Sequence, residues 1–266
     1  MIFDTHAHLN SSEYDKDREE LIKKCLDEGI GMINVGTNFV NSKKAVDIAQ
    51  ENEGVFASVG LHPLDIDSVF LKNKDLSGEK DAVLEKDFDY EKYKELAKSN
   101  KVVAIGECGL DYWYKPKGKG KKESFKQEQR RIFERHLDLA EELNLPVIIH
   151  CRSAFDDLFD VLSKRKVKGV LHCFTGTKVD AERFLSLGLH IGINGIMFKV
   201  DISETIKTMP LEKMLIETDC PYLSPPGFEE RNNPLAFKII IEEVEKIRGE
   251  KIAEITAENA RKLFNI

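Results

Sequence analysis

The sequence predicts a single-domain α/β protein folded as a TIM (β/α)8 barrel. Three observations lead there. Apolar, β-rich runs recur along the whole chain, each is followed by a helical pattern, and eight such units fit within 266 residues. Strands that are apolar throughout belong to a parallel sheet covered by helices, and eight βα units in a chain of this length close most simply into a barrel. An open doubly wound sheet would normally carry a glycine-rich phosphate turn after its first strand; none is present.

The elements follow in order. Ile2-Phe3-Asp4-Thr5-His6-Ala7-His8 is the first strand, and residues 13–28 read as its helix, closed by Gly29 because glycine accepts the left-handed conformation that ends helices. The second unit is a strand over 31–36 and a helix over 41–53; the third strand, 55–60, runs into Leu61-His62-Pro63. A polar stretch from 65 to 89, rich in Lys, Asp and Glu, reads as a long loop with a short helix, and a helix over 90–99 follows. The fourth strand, 102–106, ends at Glu107, with a helix over 123–144 behind it; Gly109-Leu110-Asp111-Tyr112 reads equally well as a turn. The fifth strand is 146–150, its helix capped by Ser153 and running to 164. The sixth pair is a strand over 169–172 and a helix over 178–187 ending at Gly188. The seventh strand, 190–194, precedes a short helix near Ser203. The eighth, 214–219, precedes a helix over 234–248 that opens on Pro234, a favoured first helical residue. A terminal helix covers 257–264.

Composition narrows the function. Forty-seven acidic against 40 basic residues give a net charge of −7, which opposes broad electrostatic attachment to nucleic acid or to an anionic membrane and leaves room for a local cationic site. The five cysteines, Cys25, Cys108, Cys151, Cys173 and Cys220, show no CxxC spacing, so they read as small buried hydrophobes and not as a disulfide framework or zinc ribbon. Neither a signal peptide nor a membrane span is visible. The expectation is a cytoplasmic protein, with a monomer favoured.

The polar residues at strand ends carry the chemistry. Successive side chains of a strand alternate faces, so His6 and His8 share one and can grip a cation together. His62 follows the third strand, Glu107 the fourth, His150 the fifth, His172 the sixth and Asp219 the eighth. In a barrel these carboxyl ends share one face, where substrates bind. Five of the seven histidines lie there; His136, in the fourth helix, and His190, at the start of the seventh strand, read as structural. Imidazoles and carboxylates ending apolar runs need compensation, and a cation supplies it. Six protein ligands are too many for one tetrahedral ion and suit a two-metal centre. We expect His6, His8 and Asp219 on one divalent cation, His150 and His172 on the other, and Glu107 between them. Histidine ligands suit zinc or manganese.

These segments resemble the TatD family of metal-dependent nucleases, within the amidohydrolase-like metallo-barrels. The resemblance is carried by Phe3-Asp4-Thr5-His6-Ala7-His8-Leu9, Val59-Gly60-Leu61-His62-Pro63, Ile105-Gly106-Glu107-Cys108-Gly109-Leu110-Asp111-Tyr112 and Ile149-His150-Cys151-Arg152. It continues through His172-Cys173-Phe174-Thr175-Gly176, Glu217-Thr218-Asp219-Cys220-Pro221-Tyr222 and Thr256-Ala257-Glu258-Asn259-Ala260. It implies a barrel, divalent metal on the residues already named, with magnesium also allowed, and hydrolysis of phosphodiester bonds in DNA, as an exonuclease on single strands or ends. Two insertions, 65–89 and 114–122, depart from the pattern and bear on substrate preference more than on chemistry.

On this reading a metal-activated water attacks the phosphorus, and Asp219 and Glu107 are the catalytic carboxylates, Asp219 accepting the proton. His62 and Arg152 are candidate phosphate contacts, and Asp111 orients a ligand or touches substrate. Lys115, Lys117, Lys119, Lys121 and Lys122 form either a solvated loop or a guide for DNA. Two rivals are a metal-dependent amidase, lactonase or deaminase acting on a small molecule, and a non-catalytic binding protein. Many barrels of the first kind bridge their metals with a carboxylated lysine at the fourth strand, where this chain has Glu107; the second leaves a complete ligand set unexplained.

Overall fold

Eight parallel strands run in chain order around one sheet in the computed structural model, which describes residues 1–68 and 83–266. They are β1 (Ile2–Ala7), β2 (Ile30–Val35), β3 (Val55–Val59), β4 (Val102–Asp111), β5 (Val147–Arg152), β6 (Gly169–Leu171), β7 (His190–Ile193) and β8 (Met214–Ile216). The helices are α1 (Arg18–Asp27), α2 (Phe39–Glu51), α3 (Tyr90–Leu96), α4 (Lys119–Leu143), α5 (Phe155–Leu162), α6 (Lys178–Ser186), α7 (Ser203–Thr208), α8 (Phe237–Arg248) and α9 (Ala253–Phe264). The expected TIM barrel is the fold observed.

The sheet closes where β1 meets the segment beyond β8. Ala7 forms a parallel bridge with Cys220, the His8 N–H donates to the Cys220 carbonyl over 2.9 Å, and the Asp219 N–H donates to the His6 carbonyl over 2.8 Å. Closure therefore brings the two ends of the chain's chemistry side by side. Buried Asp4 reinforces it, accepting from the Thr218 N–H (2.9 Å) and from the Thr218 hydroxyl (2.6 Å).

Two apolar clusters hold the barrel. The larger lies between strands and helices and includes Ile22, Val46, Phe133, Leu158, Phe184 and Ile240. The smaller includes Ile33, Ile148, Val170 and Leu215, packed with Ala260 and Phe264 of α9. That helix covers the amino end of the barrel: Asn259 donates to the carbonyls of Leu211 and Met214, and Arg261 donates to that of Met1. Ile148, Val170 and Leu215 each stand two residues before His150, His172 and Glu217, so in a strand each pair faces the same way. Apolar side chains thus fill the amino end of the interior and polar ones its carboxyl end.

Some boundaries differ from the sequence reading. Residues 109–111 are strand, with Gly109 paired to His150, Leu110 to Cys151 and Asp111 to Arg152. Gly109 makes this possible: its φ is 149°, and a Cβ there would stand 2.0 Å from the His150 carbonyl oxygen. Helix α4 starts at Lys119, so three of the five clustered lysines are helical, as their good helix propensity permits. Ser153 does not cap α5; it sits at φ 57°, and the cap position is Ala154. The first helical stretch splits into a 3-10 turn, Ser12–Tyr14, and α1, while α9 begins at Ala253, earlier than expected. The 65–89 insertion lies outside the described residues over 69–82. Among the described residues all five cysteines are free and no helix is long and apolar enough to cross a membrane.

Candidate metal centre

The six residues expected as ligands meet at the carboxyl end of the barrel. His6, on β1, directs Nε2 to within 3.1 Å of His8 Nε2, 3.3 Å of Glu107 Oε2 and 3.7 Å of Asp219 Oδ1. His8 follows β1, and its Nδ1 lies 3.0 Å from the Val35 carbonyl. A carbonyl only accepts, so Nδ1 carries the proton and Nε2 turns a lone pair on the cluster. Glu107 is central: Oε1 is 2.9 Å from His150 Nδ1 and 3.6 Å from His172 Nε2. Gly106 supports its placement. This glycine has φ 144°, and a Cβ would meet the Ile148 carbonyl oxygen at 2.5 Å, so a larger residue would push β4 away from β5 just where Glu107 turns inward.

The donor groups overlap. His6, His8 and Glu107 form one set within 4.8 Å of one another, His6, His172 and Asp219 a second, and His62, Glu107 and His150 a third. His150 and His172 both face Glu107 Oε1, as the expected second-ion set requires, although the tighter groupings place His172 with His6 and Asp219 and place His62 with His150. The donors fit a metal site. Two imidazole nitrogens 3.1 Å apart converge with two carboxylates in a buried space, and among the described residues His6 Nδ1 has no hydrogen-bond partner. Such a set is costly without positive charge between its members.

The local field shows the same tension. Burial and then the neighbouring His172 push the His6 pKa down. For His150, burial is outweighed by the flanking carboxylates of Asp111 and Glu107, which lift it to about 9. His172 is likewise lifted to about 9 against burial by Glu217, Asp219 and Glu107. Burial works to raise the carboxyls, yet surrounding imidazoles hold Asp219 below the ordinary range and Glu107 well below it. Both acids are thus ready as anionic donors.

The residues expected around this centre take distinct places. Asp111 is fully buried and turns Oδ2 to His150 Nε2 at 3.1 Å. His62 accepts the Leu64 N–H at Nδ1 over 3.2 Å, which leaves its Nε2, 3.6 Å from Glu107 Oε1, to carry the ring proton. Arg152 is exposed at the rim, its guanidinium carbon 4.7 Å from the centre of the Trp113 ring. His136 is structural as expected: Nε2 accepts the Leu61 N–H at 2.9 Å and Nδ1 donates to the Ile132 carbonyl at 2.8 Å.

Sequence reasoning missed three supporting groups. Glu217 Oε1 accepts from His172 Nδ1 (2.8 Å), the Cys173 N–H (2.7 Å) and Asn194 Nδ2 (3.2 Å). Its visible signal was an acid inside the apolar 214–219 run, two residues before Asp219. Asn194, at the end of the 190–194 strand, is the second, and Asp4, the third, had the same signal as Glu217 on β1. The cluster opens into a cavity of about 690 Å³ lined by Asp219, Asp111, Trp113, Tyr114, Ile196 and Tyr222 among others.

Comparison with known proteins agrees with this architecture. The chain is 36% identical, over the full length of both proteins, to an uncharacterized metal-dependent hydrolase, YabD, of Bacillus subtilis. It is 34% identical to the 3'-5' ssDNA/RNA exonuclease TatD of Escherichia coli K12, over all of this chain and 99% of that one. The crystal structure of YJJV, a TatD homolog from Escherichia coli K12, superposes with a TM-score of 0.80 at 26% identity, covering 100% of this chain and 98% of the other. The family profile described as TatD related DNase matches residues 3–265, and with these end-to-end relatives it establishes that the chain belongs to the TatD family.

Proposed function

We propose that this protein is a metal-dependent hydrolase that cleaves phosphodiester bonds in DNA, acting as an exonuclease on single strands. The observation that carries the reading is the convergence of His6, His8, Glu107, His150, His172 and Asp219 on one barrel mouth, with Glu107 facing His6 through one oxygen and His150 and His172 through the other. The TatD relatives named as single-stranded DNA and RNA exonucleases at about a third identity supply the substrate class.

His6, His8 and Asp219 would hold one divalent cation and His150 and His172 another, with Glu107 shared. Cations in these positions lower the pKa of water and polarise a phosphoryl oxygen. The chain's own groups do the rest. Asp219 presents Oδ1 to His6 and His8 at 3.7 and 3.5 Å and Oδ2 towards His172 Nε2 at 4.0 Å, and its anionic carboxylate would take the proton of the attacking water. His62, with its proton on Nε2, is a neutral donor for a non-bridging phosphate oxygen. Asp111 and Glu217 accept the outward ring protons of His150 and His172 and so hold both rings in their donor tautomers. Arg152 meets the polyanion at the rim.

The decisive experiment incubates metal-free protein with end-labelled single-stranded DNA, then adds magnesium, manganese or zinc, each with and without chelator. Cutting that appears with a cation and vanishes with chelator is the expected result. Absence of cutting under every cation, with turnover of small amides or lactones, would replace this reading by the amidohydrolase one.

A further inference from the structure

We propose that Trp113, with Tyr114 and Arg152, is the platform on which an unpaired nucleobase beside the scissile phosphodiester stacks; this deepens the reading above and rests on it. Trp113 is the chain's single tryptophan and is 57% exposed, although it lines the cavity over the candidate metal centre. A large aromatic left in water at the mouth of a cavity marks a surface meant to be covered.

Trp113 is anchored through its backbone and flanked on its ring by Arg152. Its backbone N–H donates to Asp111 Oδ1 over 2.9 Å, while the other oxygen of Asp111 meets His150 Nε2 at 3.1 Å. The acid that orients a metal-facing imidazole therefore also anchors the platform, two residues away. The pairing of Asp111 with Arg152 across β4 and β5 brings the arginine alongside. Its guanidinium carbon lies 4.7 Å from the Trp113 ring centre and 5.7 Å from that of Tyr114. Among the described residues no carboxylate pairs with Arg152 in a salt bridge, so its charge is directed to the rings and to the rim. Apolar Ile196 and half-exposed Val200 also line the cavity.

Aromatic faces beside cationic charge suit a polyanion whose bases are unstacked. In a duplex both faces of a base are taken by its neighbours, whereas a strand end can lend one to Trp113. The lysines that follow, at 115, 117, 119, 121 and 122, make this rim locally cationic on a molecule of net charge −7.

The test uses the metal-loaded protein with two end-labelled phosphorothioate strands of equal length, an oligothymidylate and an abasic counterpart. Binding is read by anisotropy and by the emission of the sole tryptophan. The oligothymidylate should quench that emission and bind about tenfold more tightly than the abasic strand, within the range of aromatic stacking on one base. Trp113→Ala should bring the two affinities together, and Trp113→Phe should keep most of the difference. Equal affinities in the wild type, or a preference that survives in Trp113→Ala, would overturn the platform while leaving phosphodiester hydrolysis intact. Base-selective binding without cutting under any cation would instead remove the hydrolysis and keep the platform as a nucleic-acid site.

Discussion

His172 Nδ1 lies 2.8 Å from Glu217 Oε1, the same oxygen that accepts the Cys173 N–H and an Asn194 amide proton. Three donors converging on one acid fix the ring so that Nε2 faces Glu107 and Asp219. The remaining oxygen, Oε2, has no hydrogen-bond partner among the described residues and occupies space that Gly192 leaves open, since a Cβ there would stand 2.5 Å from it.

Replacing Glu217 by Gln should therefore leave the fold in place and loosen the cation. A glutamine cannot accept three donors on a charged oxygen, and loss of such a supporting group typically weakens metal affinity about 10- to 100-fold. Calorimetric titration of the metal-free variant with manganese measures this; an affinity equal to wild type would mean that Glu217 does not position His172.

Glu107→Ala should lose bound metal together with activity, because one side chain faces His6, His150 and His172 at once. Metal content by elemental analysis and cutting of end-labelled strands are the two readouts. Full occupancy at wild-type rate would refute a shared ligand at this position.

Changing Lys115, Lys117, Lys119, Lys121 and Lys122 to Gln should flatten the salt dependence of DNA binding. Each lost phosphate contact on a single strand lowers the slope of log affinity against log salt by about 0.7. A slope identical to wild type would show the segment to be solvated surface only.

Stability should fall in mild acid because of His136. Burial holds its pKa down at about 3, whereas in the unfolded chain the ring takes up a proton near the ordinary value of about 6.5. Between these values the unfolded state binds the extra proton, so this residue makes stability rise with pH, by up to about 1.4 kcal/mol per pH unit. Denaturant unfolding across that window, compared with His136→Gln, should show a shallower pH slope in the variant. Parallel slopes would place the acid sensitivity elsewhere.

Much of this protein could be read before its coordinates. The alternation of apolar strands with helices, and the polar residues that end those strands, are written in local sequence because side-chain direction along a strand repeats every two residues. His6, His8, His62, Glu107, His150, His172 and Asp219 were found in that way. Residue 111 was not assignable, since Gly109-Leu110-Asp111-Tyr112 has turn-like composition and becomes strand only by pairing with β5.

What the tertiary structure alone decided is which atoms face which. The proton on His8 Nδ1 is set by a carbonyl 27 residues away on β2 and that on His172 by an acid 45 residues further along. Closure of β1 against the segment beyond β8 decides that His6 and Asp219 meet at all. Hydrogen bonds and cation binding act over a few ångströms through space, and only the closed barrel determines which residues come that near.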